Sequence, residues 1–114
     1  MEFCKEKMIH ENSVKAALGA LPDEGTLERL TDIFKALSDP GRMKILIALS
    51  SRELCVCDLS AVCAMSESAV SHQLRILRNL KMVRKRRDGK VAFYRLDDHH
   101  VETVIRQSMD HVQE

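Results

Sequence analysis

Four side chains near the end of the chain, Asp98, His100, His111 and Glu114, are of the types that hold a divalent metal. His100 and His111 stand eleven residues apart, and eleven steps of about 100° return a helix to nearly the same face. Glu114 follows His111 by three positions and shares that face. The same stretch of helix rises about 16 Å, whereas two ligands of one zinc ion lie no more than about 4 Å apart. One helix therefore cannot close the site. An antiparallel pair of such helices can, with Asp98 and His100 of one subunit against His111 and Glu114 of the other. Symmetry then gives each dimer two sites with two nitrogen and two oxygen donors apiece. That donor set suits tetrahedral zinc, with cobalt as its mimic, better than Cu(I). Singly, the residues have plainer explanations: Asp98 as a helix cap, His111 and Glu114 as surface side chains.

The thiols form a second group. Cys55 and Cys57 are two positions apart, too close to be neighbours on one helix face but workable where a helix begins. Residues 1–11 lack periodicity and read as a mobile N-terminal arm, which could bring Cys4 and His10 to them. Thiolates favour cadmium, lead, zinc and Cu(I). That opening segment is polar and charged, unlike a signal peptide, and no apolar run approaches the ~18–20 residues that span a bilayer. A cytoplasmic chain without membrane contact is expected, with its four cysteines as thiols rather than disulfides. Cys63 shares a helix face with Leu59 and Val62 and reads as a small buried hydrophobe.

These groups need a frame, and the 114 residues allow one domain of ordinary size. With 45% apolar and 31% charged residues, wholesale disorder is excluded, and four aromatics imply an aliphatic core. Between Arg75 and Lys90 eight basic residues face one acid, a local charge of +7. The whole chain carries +1, so the remainder carries −6. A basic block on an otherwise acidic chain is an electrostatic footprint for a polyanion, or else a solvated charged hairpin.

Val14, Leu18 and Leu21 mark a short helix over 12–21, and Leu27, Leu30, Phe34 and Leu37 a second. Asp39-Pro40 is a helix start, and the run 43–49 is apolar nearly all round, as in a central buried helix. A short helix over 58–64 is followed by one capped by Ser66, which turns Val70, Leu74 and Leu77 inward and shows Ser68, Ser71, His72 and Arg75 outward. Asp88-Gly89 is a two-residue hairpin turn, and a final helix spans 99–112. Two short helices with a tight joint, then a basic hairpin, predict a mainly α, winged helix-turn-helix domain over 12–114. Its second helix would enter the DNA major groove. Ser68, Ser71, His72, Gln73 and Arg75 suit base edges, and Arg86, Arg87 and Lys90 suit phosphates.

The segments Glu53-Leu54-Cys55-Val56-Cys57-Asp58-Leu59, Ser66 to Leu74 with its Ser71-His72-Gln73-Leu74, and Tyr94 to His100 together resemble the ArsR/SmtB family of metal-sensing repressors. The likeness runs from about Thr26 to Glu114. It implies a homodimer with an antiparallel C-terminal helix pair that leaves operator double-stranded DNA when the inducing metal binds. The likeness is nearest to the zinc-responsive branch, with ligands on the last helix, while Cys55-Val56-Cys57 resembles the cadmium- and lead-responsive branch. In that branch the arm offers a second cysteine four residues after the first, where this chain has Met8.

Two other readings stay open: a redox-responsive repressor of the same fold using Cys55 or Cys57, and a metal-buffering protein without an operator. An enzyme is not expected, because four protein ligands leave zinc no open position.

Overall fold

The computed structural model describes residues 8–114, which divide into two units at Thr31. Cys4 and most of the expected arm lie outside the described residues. In the first unit, helix α1 (Glu11–Ala20) ends where Leu21 turns extended before Pro22, because the residue before a proline is pushed out of the helical region. Its Val14 and Leu18 are exposed, and no residue of α1 is buried. Helix α2 (Glu24–Leu37) begins in this unit.

The second unit is built on α3 (Pro40–Ser51). Asp39 caps it by accepting the backbone N–H of Arg42 at 2.9 Å, with Pro40 in the first turn. Ile45 and Leu46 are fully buried and Leu49 nearly so, but Ile47 is exposed, so α3 is central without being covered all round. There follow β1 (Leu54–Cys55), α4 (Val56–Cys63), α5 (Glu67–Asn79), β2 (Val83–Asp88), β3 (Val91–Leu96) and α6 (His99–Val112).

The helix-turn-helix is α4 and α5. Ala64 leaves α4 in the left-handed region at φ 54°, and Ser66 caps α5 by accepting the N–H of Ala69. Leu59, Val70, Leu74 and Leu77 meet Ile45, Leu46 and Met82 in an apolar core that contains no buried polar side chain among the described residues. Burial of each such aliphatic side chain contributes about 1.5–3 kcal/mol before entropy is charged against it. Cys63 joins this core, 2% exposed, whereas Val62 turns to solvent. The apolar face expected of α4 is thus Leu59 and Cys63 only.

The sheet has three antiparallel strands in the order β1-β3-β2, one more than the hairpin expected. Leu54 pairs with Tyr94, and Asp88 pairs with Val91. The hairpin turn is therefore Gly89-Lys90 rather than Asp88-Gly89. Gly89 has φ +64° and Lys90 is not left-handed, the pattern of a turn that needs glycine only at its first central position. Val104 and Val112 of α6 stay exposed; with Phe34 and Ile47 they line an open apolar groove in this unit.

Candidate metal centres and nucleic-acid interface

Helix α6 starts where Asp98 turns extended and accepts the backbone N–H of His100 at 2.9 Å. The capping role weighed for Asp98 is real, and it leaves the second carboxylate oxygen free for another task. That oxygen lies 3.1 Å from Nδ1 of His100. The backbone N–H of His100, with the imidazole beside it, holds the Asp98 carboxyl below its ordinary value. At the far end of the helix, Nδ1 of His111 lies 3.7 Å from a Glu114 oxygen. Zinc–nitrogen and zinc–oxygen bonds of ordinary length at a tetrahedral angle put two such ligands about 3.4 Å apart. The two observed separations bracket that value, although an imidazole N–H bonded to a carboxylate has a similar reach. His100 and His111 have side chains 78% and 82% exposed, and Glu114 77%. The structure thus brings the four residues together as two open pairs, not as one cluster. No group of three ligating side chains stands ready in the described part of this chain.

Cys55 caps α4 at the end of β1, and Cys57 follows in its first turn. Asp58 reaches back to accept the Cys55 backbone N–H at 3.1 Å. Cys57 is exposed and donates its S–H to a carboxylate oxygen of Glu67, 3.4 Å away at the start of α5. That hydrogen bond and the Glu67 charge push the Cys57 thiol up from its ordinary value. Cys63 is raised by burial, as suits a core residue. His10 lies exposed at the start of α1 in the first unit.

On α5, Ser68, Ser71, His72 and Arg75 are exposed, opposite the buried Val70, Leu74 and Leu77. Gln73 is half-buried. It accepts from Arg42 Nη1 at 3.0 Å and donates to Asp39 at 3.3 Å, so its amide is a strut between α5 and the start of α3. Arg86 is likewise engaged: its Nη2 lies 2.6 Å from Glu53, and its guanidinium stacks 4.8 Å over Phe93. Arg84 pairs with Asp97. Arg87 and Lys90 stay exposed.

Sequence reasoning missed one feature. Ser71, Arg75 and Arg78 from α5 and Lys85 and Tyr94 from the sheet line a polar cleft between helix and wing. Three cations and two hydroxyls with no acid among them give the cleft the chemistry that suits a phosphate. The spacing of Ser71, Arg75 and Arg78, four then three, was the available signal.

Residues 39–85 match the model of the arsR family of bacterial regulatory proteins. A transcriptional repressor SmtB homolog from Synechocystis is 41% identical over 100% of this chain and 86% of its own. A cadmium resistance transcriptional regulatory protein CadC homolog from Staphylococcus aureus is 38% identical over 99% of this chain and 93% of its own. The solution structure of a homodimeric winged helix-turn-helix DNA-binding domain from Mycobacterium bovis superposes with TM-score 0.74 at 23% identity, covering 83% of this chain and 91% of that one.

Proposed function

The chain belongs to the arsR family of bacterial regulatory proteins, a family of DNA-binding regulators rather than enzymes, and on that premise we propose a homodimeric repressor that zinc releases from its operator. One observation carries the choice of effector site: Asp98/His100 and His111/Glu114 stand at ligand spacing at opposite ends of α6, open to solvent. Each pair is half of a tetrahedral set. An antiparallel α6 from a second copy supplies the other half, and the groove bearing Phe34, Ile47, Val104 and Val112 supports such pairing by the apolar area it leaves uncovered.

In the metal-free dimer, α5 enters the major groove with Ser68, Ser71 and His72, while Arg75, Arg78 and Lys85 seat a phosphate and Arg87 and Lys90 add charge at the wing. Occupation of the shared sites favours whichever quaternary arrangement lets all four ligands meet. If that arrangement sets the two copies of α5 out of register with successive grooves, operator affinity falls, and DNA weakens zinc by the same factor. Coupling of this kind amounts to about 1–3 kcal/mol. Operator affinity measured with and without zinc tests it: His100→Gln should bind operator like the parent when metal-free and stay bound at zinc levels that release the parent. Release of the variant at the same zinc level overturns the assignment.

Cys55 and Cys57 support a second effector site, for cadmium, lead or another thiophilic metal. The cadmium-resistance regulator among the relatives and the placement of both thiols at a helix start favour this reading. A buffering role fits less well, since it leaves the phosphate seat without a task.

A further inference from the structure

Cys57 and Glu67 belong to different helices of the helix-turn-helix, and their sulfur and oxygen already stand 3.4 Å apart. A tetrahedral ion with ordinary zinc–sulfur and zinc–oxygen bonds holds such atoms about 3.6 Å apart. Both side chains are exposed, so neither has to leave the core to accept an ion. Glu67 is the first residue of α5, where the positive end of the helix dipole attracts negative charge and anions. The other nearby carboxylate, Asp58, is occupied by the Cys55 backbone N–H. Cys55 caps α4 in a reciprocal capping box, its sulfur accepting the backbone N–H of Asp58.

We propose that Glu67 is an oxygen ligand to a soft divalent ion held by Cys55 and Cys57, so that the ion ties the first turn of α4 to the first turn of α5. The inference rests on the thiolate reading given above and adds to it the ligand that makes the site a lever. The metal-free contact is a thiol donating to the carboxylate. Ion binding displaces that proton to solvent and replaces the contact with two bonds to one centre. Cys55 turns in from the end of β1 as the third ligand and likewise gives up its thiol proton to solvent. The α4–α5 angle then answers to the ion within a single subunit, without the partner that the α6 site requires.

The test uses the full chain, ¹¹³Cd²⁺ and the variants Glu67→Gln, Asp58→Asn and Cys55→Ser. In the parent, cadmium should give thiolate charge-transfer absorption and a ¹¹³Cd resonance shifted toward mixed sulfur–oxygen coordination. Glu67→Gln should keep the absorption at saturation, lose affinity by about tenfold or more and move the ¹¹³Cd resonance. Asp58→Asn should leave the resonance in place. Parent-like affinity and resonance in Glu67→Gln, or a shift confined to Asp58→Asn, overturns the role of Glu67. Absorption that is absent from the parent, or unchanged in Cys55→Ser, overturns the thiolate reading beneath it and takes this inference with it. Because Glu67 is exposed, metal-free operator binding within about twofold of the parent is expected of the variant and shows that it is folded.

Discussion

Arg78→Ala and Arg86→Ala separate two kinds of arginine in the same basic block. Arg78 lines the helix–wing cleft beside Arg75 and Lys85, with no acid in the lining. Arg86 already holds Glu53 at 2.6 Å and covers Phe93. Each phosphate neutralised on duplex DNA contributes about 0.9 to the slope of log affinity against log salt. A dimer carries two copies of Arg78, so its loss should flatten the slope by about 1.8. Raising salt from 50 to 200 mM should then cost the parent roughly 12-fold more affinity than it costs the variant. Arg86→Ala should leave the slope nearly as it was. It should cost a modest amount of affinity by exposing the Glu53 charge, and Glu53→Gln in the same chain should recover that loss. Fluorescence anisotropy of a labelled operator across a salt series reads both quantities. A slope that falls as far in Arg86→Ala as in Arg78→Ala refutes the division between paired and phosphate-bound arginines.

The Glu53 carboxyl is held below its ordinary value by the Arg86 hydrogen bond, so Arg86→Ala should raise it, as carboxyl-carbon NMR titration would show. The associated stability is present above the unfolded value and fades as pH falls through the folded one; an unmoved Glu53 titration removes the pair from the argument. Gln73→Ala breaks both ends of the α3–α5 strut and should cost about 1–2 kcal/mol of stability, with operator affinity falling for all sequences alike. A change of operator preference at unchanged melting temperature would instead return Gln73 to base reading. Ala64→Gly relieves a left-handed alanine at φ 54°. The relief of about 1–2 kcal/mol exceeds the glycine entropy cost of about 0.4–1 kcal/mol, so thermal unfolding should move up by a few degrees.

What was legible in the sequence was whatever depends on neighbours along the chain. Ser66 before an apolar period of Val70, Leu74 and Leu77 locates α5 because cap and stripe lie within a dozen residues. The pairs Asp98/His100 and His111/Glu114 are local too, two and three residues apart, and the structure holds their side chains 3.1 and 3.7 Å from each other. Strand β1 is only two residues long and exists because Leu54 finds Tyr94 across the sheet; no local pattern announces it. The hairpin turn moved by one residue because cross-strand register, not dipeptide preference, decides which two residues remain unpaired. Gln73 reads as a base-edge residue because it sits among exposed polar residues; its tie to α3 is what the sequence does not show. Its partners Asp39 and Arg42 lie 34 and 31 positions away, beyond the reach of any spacing argument. The cleft lined with Lys85 and Tyr94 was hidden for the same reason.

Subunit mixing tests the central claim most directly. His100→Gln and His111→Gln, each alone, should remain on operator DNA at zinc levels that release the parent. If each site draws one pair from each subunit, a mixed dimer has one site without histidines and one with all four ligands. Unfolding and refolding the two variants together should therefore restore tight zinc binding at one site per mixed dimer, and with it zinc-dependent release. Mixed dimers that bind zinc no better than either parent variant contradict a site shared across two antiparallel copies of α6.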